Sequence, residues 1–105
     1  MQAIGYERGA GVNSEEKRRV KLLYFTYLVQ KMRREAEEVE LPPTVTDVTS
    51  LVKWLQRRNR DVAHLFEDKQ IRVTVNKQFA EPFTRIETGD EVAFVPTSPV
   101  VPAAG

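Results

Sequence analysis

The chain contains no cysteine. That excludes disulfides, thiolate metal sites and a cysteine nucleophile, and it suits a reducing compartment. No apolar run approaches the roughly 18 residues that a membrane-spanning helix needs. Near the start, Glu7 and Arg8 stand where a secretory signal needs an apolar core. The expectation is a cytoplasmic protein that does not engage a membrane. An excess of charge of one sign is also missing: 16 basic residues face 15 acidic ones, a net charge of +1. Such a balance gives no general affinity for nucleic acid or an anionic surface.

Catalytic equipment is scarce. His64 is the only histidine and lies between Ala63 and Leu65, so neither a metal site nor a histidine-based triad is expected. The glycine-rich loops that cradle nucleotide phosphates are absent. Asp61, Glu67, Asp68, Asp90 and Glu91 fall in apparent turns and read as surface carboxylates. An enzyme needs polar groups converging in a pocket. Without them the chain reads as a carrier or binding module that has no active site of its own and needs no cofactor.

The 105 residues suffice for one domain. Residues 1–18 hold three of the five glycines and run into the charge cluster Glu15-Glu16-Lys17-Arg18. With no apolar periodicity to offset the cost of ordering, they are predicted to be a disordered extension. From Val20 the pattern changes. Val20, Leu22 and Tyr24 alternate with Lys21, Leu23 and Phe25, which predicts a strand central in a sheet. Leu28, Val29 and Met32 suggest a short turn of helix. A second strand is predicted over 37–41, with Val39 and Leu41 inward and Glu38 and Glu40 outward; Pro42-Pro43 ends it.

The clearest helix follows. Val48, Leu51, Val52 and Leu55 keep the i, i+3, i+4, i+7 spacing of one apolar stripe, and Asp47 or Thr46 caps it. Trp54 lies off that stripe. Lys53, Arg57, Arg58 and Arg60 crowd the exposed side and the C-terminal end, where cations suit the helix dipole. A short turn is expected over 63–66 and a third strand over 71–75. Asn76-Lys77 should turn the chain into a short piece around Phe79, and Thr88-Gly89-Asp90 should turn it into a last strand over 92–95. Residues 97–105 then form an extended tail, because Pro96, Pro99 and Pro102 forbid regular structure. Strand, strand, helix, strand, short strand, strand is an α+β order, with the helix covering one face of a mixed sheet. Its core should include Val20, Leu22, Tyr24, Val48, Leu51, Val52, Leu55, Val73, Val75 and Val92.

Gly89-Asp90-Glu91-Val92-Ala93-Phe94 resembles the segment that precedes the tail in the small subunits of molybdopterin synthase. Three further landmarks agree in order and spacing. Val20-Lys21-Leu22-Leu23-Tyr24-Phe25 looks like that family's first strand, Asp47-Val48-Thr49-Ser50-Leu51 like the start of its helix, and Val75-Asn76 like the end of its third strand. The resemblance implies a β-grasp, ubiquitin-like domain over 19–96 of the MoaD/ThiS-like sulfur-carrier kind. It further implies that the terminal carboxylate, here Gly105, is adenylated by an enzyme similar to those that activate ubiquitin. That carboxylate then becomes a thiocarboxylate. The tail enters the large synthase subunit and donates sulfur to a pterin precursor in molybdenum cofactor biosynthesis. Phe94, Val95 and Pro96 are expected to guide the tail and help dock the partner. The family ends in Gly-Gly, whereas this chain ends in Ala103-Ala104-Gly105 and has no Gly-Gly anywhere. The alternative is a β-grasp module that binds proteins and has lost the sulfur chemistry.

Overall fold

A computed structural model of the chain describes residues 18–102. The extension expected at the N-terminus lies outside the described residues except for Arg18, and so do Ala103, Ala104 and Gly105. The elements run β1 (Arg18–Tyr24), α1 (Tyr27–Met32), β2 (Ala36–Leu41), α2 (Val48–Arg58), a 3-10 helix (Arg60–Phe66), β3 (Ile71–Val75), β4 (Gln78–Phe79) and β5 (Glu91–Pro96). The sheet order is β2-β1-β5-β3-β4. β1 and β5 are parallel neighbours, and every other pairing is antiparallel. This is the mixed β-grasp sheet with one main helix laid on it.

One boundary moved. Arg18 begins β1 rather than ending an extension. Its guanidinium donates to the carbonyls of Ile86 at 3.2 Å, Pro42 at 3.0 Å and Val45. A charged side chain that satisfies three carbonyls leaves no trace in hydrophobic periodicity, which is why the sequence pattern starts only at Val20.

Parity along the strands sets the core. Val20, Leu22 and Tyr24 of β1 face α2 together with Val92 and Phe94 of β5, all buried. From α2, Val48, Leu51 and Leu55 meet them. Val52, Val73 and Val75, expected inside, are only half-buried and pack against the margin of the core. Leu28, Val45, Leu65, Phe66 and Ile86 complete the core; they come from α1, the 3-10 helix and loops, where no regular spacing announces them. Phe94 stacks on Tyr24 (centroids 5.9 Å apart) and meets Phe66 edge-on at 5.5 Å.

The helix and the turns have local causes. The Asp47 carboxylate accepts from the Ser50 backbone N–H at 2.9 Å, and Ser50 Oγ accepts from the Asp47 N–H at 3.1 Å, a reciprocal cap. At the other end, Trp54 is half-buried with the Arg58 guanidinium 4.6 Å over its ring. Asn76 and Lys77 both adopt positive φ, 53° and 73°, the twist a two-residue hairpin requires. Gly89 has φ 88°, a conformation that costs glycine least.

Candidate functional site

The family-like segment proves to be built mainly for placement. Gly89 turns the chain so that its N–H reaches the Arg19 carbonyl at 2.8 Å, and the Asp90 carbonyl accepts from the Lys21 N–H at 3.0 Å. The Asp90 carboxylate takes the Glu87 N–H at 2.8 Å and the Asn76 side-chain amide at 2.9 Å. Asn76 Oδ1 in turn accepts from the Glu91 N–H at 3.0 Å. These contacts fix where β5 begins and hold it in register between β1 and β3, so they also fix where it ends.

At that end the chain is pinned once more. The Thr97 N–H donates to the Gln70 carbonyl at 3.0 Å, and Thr97 Oγ1 donates to the Lys69 carbonyl at 2.9 Å. Beyond Thr97 the described residues carry one hydrogen bond, from the Val100 N–H to Ser98 Oγ at 3.1 Å. Val100 and Val101 remain 72% and 41% exposed. The result is a central strand anchored by its core side and continued as an exposed tail.

The two sides of β5 serve different ends. Phe94, expected to touch a partner, is 0% exposed. Its ring is a core group, so that expectation is corrected: strand parity turns it toward α2, where it anchors the strand that carries the tail. Val95 points to the opposite face and is half-buried, as is Pro96. The pairings place Val95 and Ala93 beside Leu23 of β1 and Arg72 and Thr74 of β3. Phe79 of β4 lies opposite Thr74 on this same face. It is 75% exposed, with the Arg72 guanidinium 5.8 Å over its ring, and Phe25, just past β1, is 43% exposed. Among the described residues, the main helix packs on the opposite side of the sheet from this face. The face is apolar at Leu23, Val95 and Phe79, with Arg72 and Thr74 between them, and is bordered toward β2 by charge: Arg19 meets Glu40 at 3.1 Å and Glu38 at 3.8 Å.

Sequence reasoning missed Leu23 and Phe79 as members of one surface. Alternation in β1 marks Leu23 as outward, but only register can bring it beside Ala93 and, two strands further on, Phe79. His64 is half-buried in the 3-10 helix, and no cluster of metal-ligating side chains occurs among the described residues. No helix among them is long and apolar enough to cross a membrane.

The titratable groups that shift belong to the framework. Burial, then the hydrogen bond to Glu37 at 2.6 Å, pushes the Tyr24 phenol well above its usual range. Glu37 also binds Arg34 at 2.9 Å. Burial raises Tyr27. The Ser50 backbone and hydroxyl bonds hold Asp47 below the usual carboxylate value.

A five-stranded mixed sheet with one main helix, an open apolar face and a tail leaving the central strand defines the class of ubiquitin-like β-grasp proteins. The sequence pattern of the ThiS family matches residues 22–98. The chain belongs to the ThiS family. No curated protein sequence matches it. Among solved structures it is similar to a candidate molybdopterin converting factor, subunit 1, from Pyrococcus furiosus, with TM-score 0.65 and 25% identity over 75% of this chain and 97% of that one. It is similar in fold to small archaeal modifier protein 1 from Haloferax volcanii (TM-score 0.62, 19% identity, 83% and 98% covered). The same protein from Methanosarcina acetivorans matches with TM-score 0.63 at 13% identity over 77% and 94%. The fold is thus that of sulfur carriers of the ThiS and MoaD kind and of ubiquitin-like small modifiers.

Proposed function

We propose that the chain is a sulfur carrier that works in the cytoplasm and donates sulfur from a thiocarboxylate at Gly105 in molybdenum cofactor biosynthesis. The observation that carries this reading is the tail that continues from the central strand past an anchor at Thr97, in a chain of the ThiS family. In the proposed cycle a Gly105 carboxylate oxygen attacks the α-phosphorus of ATP and pyrophosphate leaves. A sulfide equivalent then displaces AMP from the acyl carbon. The carrier supplies no catalytic group to these steps. It presents the carboxylate, and the partner enzymes supply the chemistry: an adenylating enzyme similar to those of ubiquitin, then a large synthase subunit.

The open face is the surface we assign to docking. Val95 and Leu23 give it an apolar centre, and Phe79 stands exposed on it. Exposed aromatic and aliphatic groups of this kind are what partner surfaces bury.

A second reading is a binding module that docks through the same face but accepts no sulfur. It is favoured by the tail: Ala104 narrows the backbone angles next to the reacting carbonyl, and Pro102 fixes φ near roughly −65° shortly before it. ATP–pyrophosphate exchange by the adenylating enzyme separates the two. A variant with Val100→Gly and Val101→Gly that ends at residue 101 should exchange faster than the full chain, and the full chain should still exchange measurably. Exchange by the shortened form alone would favour the binding module. Exchange by neither form would refute the carrier reading.

A further inference from the structure

Beside α2, on the side away from β2, a groove of about 600 Å³ is open to solvent. Val48 and Val52 of α2 form one wall, Ile71, Val73 and Ala80 the other, and Phe66 lies between them. This is the margin at which Val52, Val73 and Ala80 are left half-buried. Lys53, Asp68, Arg72 and Glu81 ring it with charge of both signs, so the rim does not select an ionic ligand. The walls call for a short apolar segment.

The chain itself holds such a segment next to one end of the groove. Asp68 and Ile71 line the groove. Lys69 and Gln70, the two residues between them, are those that bind Thr97. The tail therefore leaves the domain at the groove's end. Three residues further on, within about 10 Å of extended chain, stand Val100 and Val101, 72% and 41% exposed. Ser98 Oγ already bends the intervening chain by accepting from the Val100 N–H. A tether this short gives the valines an effective concentration at the groove on the order of millimolar. We propose that the tail folds back as a strap, with Val100 and Val101 seated between α2 and β3, in equilibrium with the extended form.

This assigns the groove an occupant from the same molecule. Arg72 and Phe79 line the groove as well, so a closed strap meets that edge of the open face, while Leu23 and Val95 on the other side of the sheet stay free. The consequence for chemistry rests on the carrier reading above: with the strap closed, the end of the chain is held against the domain and is not presented to an enzyme.

The test uses methyl NMR of the full chain and of a chain ending at Thr97, with no enzyme or nucleotide present. The strap predicts that the Val52, Ile71 and Val73 methyl signals differ between the two, and that Val100→Asp with Val101→Asp in the full chain moves them to the truncated positions. Superimposable spectra of the full and truncated chains would overturn it, and so would signals that the double substitution leaves in place. The differences should persist on dilution; their loss would mean that the groove takes the tail of a second molecule. Because the chain has no cysteine, Pro102→Cys gives a unique nitroxide site. It should broaden the Val73 and Ala80 methyls, and no broadening would count against the strap. A failure here leaves adenylation of the tail unaffected, so it is distinguishable from a failure of the carrier reading.

Discussion

Phe94 and Val95 are neighbours in one strand, yet they belong to different problems. Phe94 is sealed between Tyr24 and Phe66, and Val95 lies on the opposite face of the sheet, beside Arg72. The helix side of the sheet carries the buried core, and the open side is the face we propose for docking. A family-like motif that spans both residues says nothing about which is which, because the pleat alternates faces at every residue. The difference teaches that burial, not motif membership, decides whether a side chain is available to another protein.

Substitutions on the two faces should therefore separate folding from docking. The largest effect is expected from Phe94→Ala, which should lower unfolding free energy by about 3–5 kcal/mol in urea denaturation, by lost transfer energy plus an unfilled cavity. Leu51→Ala, at the 0% exposed centre of α2, should cost about 2–5 kcal/mol by the same reasoning. Val95→Glu should cost about 1 kcal/mol or less while abolishing association with the adenylating enzyme. A Val95 variant that unfolds as readily as Phe94→Ala would erase the contrast between the faces.

Smaller effects sharpen the helix side. Asp47→Ala should destabilise by about 1 kcal/mol at neutral pH through loss of the N-cap. Its bonds to Ser50 depress the folded pKa below the ordinary value of 3.8. That stability is thus fully present above pH 4 and is lost as pH falls through the lower folded value. The gap between wild type and Asp47→Ala, followed by thermal melting from pH 7 to pH 2, should narrow only below pH 4. The smallest expected effect is a gain. Lys77 holds φ 73° in the β3–β4 turn, and Lys77→Gly makes the favoured Asn-Gly turn, so it should raise stability by about 0.5–1 kcal/mol.

Much of the architecture was legible. The bounds of α2 follow from one apolar stripe and a capping aspartate, and Ile71–Val75 and the Asn76-Lys77 turn follow from alternation and turn chemistry. Arg18 was not legible, because its contribution is hydrogen bonding to carbonyls rather than apolar burial. Val45 and Ile86 were not, because they enter the core from irregular segments, and Phe66 was not, because it enters from a short 3-10 helix. The open face was legible only in fragments. Leu23, Val95 and Phe79 are far apart in sequence, and their grouping is a property of the order β1-β5-β3-β4. The anchor at Thr97 depends on carbonyls of Lys69 and Gln70, which no side-chain pattern encodes.

The most direct measurement of the central claim is the intact mass of the full chain after incubation with the adenylating enzyme, ATP and a sulfur source. The account predicts a gain equal to the exchange of one oxygen for sulfur, located by fragmentation at Gly105, that disappears when ATP is omitted. An unchanged mass, under conditions in which the shortened Gly-Gly chain does gain sulfur, would contradict it.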